Sequence, residues 1–324
     1  MDIRRLQQTG GRTGSSFLVI LPKDWVSRQN LRKGDPVIIV EREDGCLIVD
    51  PRFTKSGETR SATIGLEPDL RWSITSKYLL GFDEIRVVAT DTITNEQRDE
   101  LKRIIKRFVA LEVTDEDDHE IVVQCLVDPS TIPVHRAMKR MNLIAARMIR
   151  DAISAYLRAD MALSENVQQR DEEVDRLFFL IVRELRSAIQ YPSMSEKMGV
   201  TPVEALDFRL AIQYLERIAD LAVEIARSAS VPPERAMTRR IEPMGRKVLE
   251  MLSKSVSNLF SFATEKVADV IAAEKELLNE ASTIHREILS KQSSSSQTYL
   301  HVVDCLLRIS EAAKDIVDLA LPHS

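Results

Sequence analysis

Residues 213–227 read QYLERIADLAVEIAR. Leu215, Ala219, Ala222 and Ala226 recur at helical spacing, so the stretch predicts an amphipathic helix with one apolar stripe. Glu216 and Asp220 stand one turn apart at the border of that stripe, where like charges at i,i+4 repel. Upstream, DEEVDRLFFLIVREL (171–185) centres its apolar face on Val174, Phe178, Ile181 and Leu185 and sets Asp171 and Asp175 at the edge of the same face. Packed as antiparallel neighbours, the two helices bring four carboxylates together. Unpaired at a partly buried seam they would cost several kcal/mol, so they call for a cation. Oxygen-only ligation favours a hard ion such as magnesium, manganese or ferric iron. The simpler alternative is neutralisation by arginine, since Arg217 reaches Asp220 at i,i+3.

The stretch belongs to a long helical block. From about residue 134 the apolar period is 3.6, and helices are expected at roughly 134–162, 165–190, 202–230, 236–269, 271–291 and 295–321. YLERIADLAVEIA (214–226) aligns without gaps to CLLRISEAAKDIV (305–317), so the block reads as two three-helix halves, 134–231 and 235–321. That alignment sets Leu307 opposite Glu216 and Glu311 opposite Asp220. Matching 171–185 to EKELLNEASTIHREI (274–288) sets Glu274 opposite Asp171 and Leu278 opposite Asp175. Only Glu274 and Glu311 keep a carboxylate, which predicts a weaker second metal site.

Glycine separates this block from the rest: eight of the ten glycines lie at or before Gly81. Residues 54–130 alternate as β-α-β-α-β, a small α/β layer without a glycine-rich phosphate loop. Its acidic DEDDH (115–119) reads as a solvated hairpin turn. Residues 1–53 read as strands around one short helix: SSFLVILP, then DWVSRQNLRKGD, then PVIIVERE and DGCLIVDP joined through Asp44-Gly45.

Composition sets the outer bounds. A chain of 324 residues, 44% hydrophobic and 29% charged, is long enough for two or three globular domains. The longest apolar runs, such as LFFLIV (177–182), are too short to cross a bilayer, and MDIRRLQQTGG has no signal-peptide core, so a cytoplasmic protein without membrane insertion is expected. Cys46, Cys125 and Cys305 lie far apart with no CxxC spacing, which suggests neither a disulfide framework nor a thiolate metal site. A net charge of −5 argues against coating of nucleic acid by the whole molecule but leaves room for one basic face.

Two resemblances follow. Residues TGGRTGSSFLVILPKDWVSRQNLRKGDPVIIVEREDGCLIVDP resemble the AbrB/MazE/SpoVT swapped-hairpin domain, with Leu-Pro before a short helix and Leu-x-x-Gly-Asp before the next strand. That family implies an intertwined homodimer that commonly binds DNA, here through Arg4, Arg5, Arg12, Lys23 and Arg28. Nine Lys/Arg against seven Asp/Glu over residues 1–53 leave the charge excess small. The helical block, with LERIAD as its most recognisable stretch, resembles PhoU, a phosphate-signalling regulator of two tandem three-helix bundles. The whole chain resembles the archaeal-type PhoU regulator. PhoU proteins bind metal through E/D-x-x-x-D motifs on two helices and restrain phosphate uptake and its genes, which implies the metal ligands Asp171, Asp175, Glu216 and Asp220.

A di-iron oxidase of the ferritin-like kind would want Glu-x-x-His pairs, and no histidine stands three residues after a glutamate in either motif. No nucleophile with a partnered base is recognisable, so the chain is not read as an enzyme. The first expectation is a DNA-binding regulator with a sensory helical domain. The alternative is an adaptor that binds and inhibits a phosphate transporter, its front end serving only to dimerise.

Overall fold

The computed structural model describes residues 3–9, 16–42, 45–51, 59–66, 69–126, 133–289 and 295–320. The chain divides into two compact units, Met1–Glu58 and Thr59–Ser324.

Among its described residues the first unit holds two separate antiparallel hairpins and one short helix. Strand β1 (Gln7–Thr9) pairs with β2 (Ser16–Leu18), and β3 (Ile38–Glu41) with β4 (Leu47–Asp50). Helix α1 (Lys23–Arg28) begins directly after Pro22, whose fixed φ suits a helix start and whose missing N–H cannot extend a strand. The long strand expected over 15–22 therefore stops at Leu18, and β1, which the pattern did not suggest, supplies its partner. Gly45 takes φ +77° in the β3–β4 turn, a conformation costly for any residue with a Cβ. Among the described residues of this unit no apolar side chain is buried: Phe17 is 65% exposed, Ile39 61% and Leu47 66%. Isolated hairpins with such a surface are marginal in water.

The second unit begins with a four-stranded sheet. Strands β5 (Ser61–Gly65) and β6 (Glu84–Val88) are parallel and connected through helix α2 (Leu70–Leu79). Strand β8 (Glu120–Cys125) runs antiparallel to β6, and β7 (Leu111–Glu116) closes the order β5-β6-β8-β7. The sequence pattern missed β7, whose outer residues are charged because it lies at the sheet edge. In the turn that follows, Asp117 accepts the backbone N–H groups of His119 and Glu120 at 2.7 Å each. Helix α3 (Asn95–Ile105) starts in a capping box made by Thr94 and Gln97. Ile74, Tyr78, Ile85, Val87, Leu101 and Val123 fill the core between helices and sheet.

Among the described residues seven α-helices follow: α4 (Val134–Arg158), α5 (Met161–Gln190), α6 (Pro192–Met198), α7 (Pro202–Arg227), α8 (Arg235–Phe260), α9 (Thr264–Leu289) and α10 (Ser296–Asp318). Helix α6 occupies the expected break, opened by Pro192 and closed by Gly199 at φ +61°. The break expected near residue 270 lies instead at 261–263. There the buried Asn258 side chain accepts the Ala263 N–H at 2.8 Å, offering the backbone an alternative to the next helical turn. Helices α4, α5 and α7 form one bundle and α8, α9 and α10 the other. Packing of α7 on α10 and of α4 on α8 merges both into a single core. At the α4–α8 crossing a Cβ on Gly245 would meet the Ile153 Cδ1, so any other residue there would make the Ile153 side chain shift.

The sheet layer is locked onto α5. Arg183, 1% exposed, donates from Nη1 to the carbonyls of Tyr78 and Phe82 at 2.8 Å each and from Nη2 to Asp83 at 3.2 Å. Phe179 of α5 packs against Phe108, ring centroids 5.1 Å apart and tilted by 55°. The face of α5 opposite the bundle core is therefore buried as well.

Candidate metal centre

Helix α5 is 30 residues long and opens on Asp160, whose side chain accepts the Leu163 N–H at 2.9 Å. Helix α7 opens on a Thr201–Glu204 capping box with Pro202 at its first position. Val174, Ile181 and Leu185 of α5 meet Leu215, Ala219 and Ala222 of α7 in the core, all 0–1% exposed. The alanines keep the two backbones close and leave Asp171, Asp175, Glu216 and Asp220 half-buried along the seam.

The electrostatics show that these four carboxylates feel one another. Burial first, then the charges of Asp175 and Asp220, pushes Asp171 up to about 6. Burial, then Asp220, Asp175 and Asp171, pushes Glu216 up to about 7. Asp175 is raised by burial against the opposing pull of Arg107, and Asp220 by burial against that of Arg217. The neighbouring partners are few: Arg107 Nη2 lies 3.7 Å from Asp175 Oδ2, and Gln213 donates to Glu216 at 3.0 Å. Arg107 comes from the segment that follows α3, so the sheet layer sends a cation into the seam. No periodicity could have disclosed that contact.

The second half differs. Glu274 is partly buried on α9 and Glu311 exposed on α10. Lys314 is held close by, paired with Asp318 at 2.5 Å and acted on by Glu274. In the first unit Arg4, Arg5, Lys23 and Arg28 are exposed, the last two at opposite ends of α1. Arg12 lies outside the described residues.

One constellation escaped the sequence reading altogether. Among the described residues, the group of three or more His, Cys, Asp or Glu side chains with donor atoms all within 4.8 Å of one another is Glu224, His301 and Cys305. The carboxylates of α5 and α7 share their seam without that closeness. The available signal was His301 one turn before Cys305, but Glu224 joins them only because α7 packs on α10.

Two fused three-helix bundles with an acid-lined seam define the helical class of this chain. Comparison with known proteins agrees. The PhoU domain matches residues 138–229 and 241–320, and the domain described as antidote-toxin recognition MazE, bacterial antitoxin, matches residues 12–56. The two PhoU matches cover more than half of the chain, which belongs to the PhoU family. The phosphate-specific transport system accessory protein PhoU homologs of two Caulobacter vibrioides strains are 27% identical over 190 residues, covering 56% of this chain and 81% of theirs. The crystal structure of PhoU from Pseudomonas aeruginosa superposes with a TM-score of 0.51 at 20% identity, covering 58% of this chain and 93% of that one. Family membership places the chain among regulatory accessory proteins, not enzymes. Among the described residues no helix is long and apolar enough to cross a membrane.

Proposed function

We propose that this chain is a phosphate-responsive, cytoplasmic regulator that restrains phosphate uptake and its genes, binding DNA as a homodimer. The observation that carries the reading is the joining of two PhoU domains to a MazE-type domain whose strands leave Phe17, Ile39 and Leu47 exposed. A second copy covers that surface by exchanging strands, and the resulting dimer presents Arg4, Arg5, Arg12, Lys23 and Arg28 to DNA phosphates. Asp171, Asp175, Glu216 and Asp220 hold an oxygen-ligated ion such as magnesium, manganese or iron, which would neutralise charges that burial and mutual repulsion now disfavour. Glu274 and Glu311 form at most a weaker copy of that site.

Electrophoretic mobility shift with the operator of the protein's own phosphate-transport operon tests the DNA reading. Neutralising Arg4, Arg5 and Arg12 together should abolish binding, and each lost phosphate contact should remove roughly 0.9 from the log-log salt slope. Light scattering tests the dimer: deleting residues 1–53 should lower the mass in solution. The relatives' description as accessory proteins of a phosphate-specific transport system favours a second reading, an adaptor that inhibits a transporter. No DNA binding by the wild type, with retention of transporter components in a pulldown, would establish the adaptor instead.

A further inference from the structure

The seam between the two bundles carries a second donor set, distinct from the acids of α5 and α7. Glu224 stands in the last turn of α7, while His301 and Cys305 are one turn apart on α10. Cys305 Sγ lies 3.7 Å from Glu224 Oε2 and 3.7 Å from His301 Nε2, and His301 Nε2 lies 3.6 Å from Glu224 Oε2. The three donors form a nearly equilateral triangle. Zinc bonds of about 2.3 Å to sulfur and about 2.0–2.2 Å to nitrogen and oxygen, at tetrahedral angles, require donor edges of roughly 3.4–3.6 Å. The triangle therefore needs to contract by only a few tenths of an ångström to become one face of a zinc tetrahedron.

We propose that Glu224, His301 and Cys305 bind a zinc-class divalent ion that bridges α7 and α10 and so links the two halves of the protein. The mixed sulfur, nitrogen and oxygen set suits a borderline-soft ion rather than magnesium or calcium. On binding, the Cys305 thiol releases its proton to solvent and the thiolate sulfur forms the metal bond. Thiolate and carboxylate together then match the charge of the ion. The fourth position faces a cleft lined by His301, Arg227, Ser230, Gln297 and Thr298, which admits water or an exogenous ligand. Arg308 Nη1 lies 3.8 Å from the same Glu224 Oε2, so binding the ion requires this partly exposed guanidinium to give up that oxygen.

The fold supplies its own control. Helices α7 and α10 are related by the internal repeat, and that relation carries Glu224, His301 and Cys305 onto Asp315, Leu210 and Tyr214. At the second place the Tyr214 phenol hydrogen-bonds Asp315, and Leu210 lies exposed. The acid recurs at both ends of the seam, but the sulfur and imidazole donors occur at only one.

The full-length protein loaded with cobalt(II) tests the proposal. The wild type should show a thiolate-to-cobalt charge-transfer band and the intense visible bands of tetrahedral cobalt, with zinc displacing both. Cys305→Ser should abolish the charge-transfer band. His301→Ala, which alters a half-exposed ring and spares the core, should weaken zinc binding tenfold or more by competition with a chromophoric chelator. Asp175→Asn with Glu216→Gln should leave the band intact, separating this site from the carboxylate seam. A wild type that binds cobalt without the band, a band that persists in Cys305→Ser, or a His301→Ala variant that holds zinc as tightly as the wild type would overturn the assignment and leave a metal-free hydrogen-bonded trio.

Discussion

Arg183 on α5 and Arg286 on α9 occupy matching places in the two halves, each followed by glutamate and then a branched aliphatic residue. Arg183 is buried and gives three hydrogen bonds to the end of α2 and the α2–β6 connection, whereas Arg286 lies exposed and, among the described residues, donates to the Ser282 carbonyl of its own helix, at 3.4 Å. The sheet layer docks on α5, while α9 packs chiefly on α8 and α10. One repeated sequence thus acquires two environments, and the acids of the covered half, with Arg107 reaching Asp175 from the sheet layer, are the ones whose protonation is most perturbed.

The sharpest test of this contrast is paired substitution. Arg183→Met leaves the Tyr78 and Phe82 carbonyls and Asp83 without their buried partner and should cost about 3–5 kcal/mol. Arg286→Met should stay within about 0.5 kcal/mol. Urea unfolding of both variants checks this, and equal losses would mean that the sheet layer does not distinguish the halves.

A somewhat smaller effect is expected in metal affinity. Asp175→Asn with Glu216→Gln should weaken tight binding of manganese by about 100-fold, which is about 2.7 kcal/mol. Glu274→Gln with Glu311→Gln should change it only slightly, since two carboxylates beside Lys314 hold a hydrated ion poorly. Calorimetric titration that finds equal losses would break the asymmetry.

The smallest effect concerns pH. The carboxyls of Asp171 and Glu216 rise from ordinary values of 3.8 and 4.5 to about 6 and about 7 in the folded, metal-free protein. The folded state therefore binds more protons than the unfolded state across that window, so stability is highest below it and falls as pH rises through the folded values. With chelator present, the melting temperature should decline between about pH 5 and pH 8, an interval that brackets those values. Asp171→Asn with Glu216→Gln should flatten the slope. A slope unchanged in that variant would show that other groups dominate.

Much of this molecule was legible without coordinates. The 3.6 period and the gap-free repeat disclosed two three-helix halves, and the border positions of Asp171, Asp175, Glu216 and Asp220 disclosed a shared seam, because helical geometry fixes which residues share a face. Helix ends were less legible. Asn258 terminates α8 by accepting the Ala263 N–H, a local hydrogen bond that leaves no mark on hydrophobic periodicity. Strand β7 escaped because an edge strand carries charge where a central strand would carry apolar residues.

The amino-acid order by itself determined which faces are apolar and which helices repeat. Tertiary structure alone decided which distant groups meet. Arg183 became a buried clamp because the sheet layer docks on α5, and Glu224 joined His301 and Cys305 because α7 packs on α10. Periodicity encodes the direction a side chain takes from its own helix axis, but helix pairing is set by the complementary packing of whole faces, and that sum over many contacts has no single-residue signature.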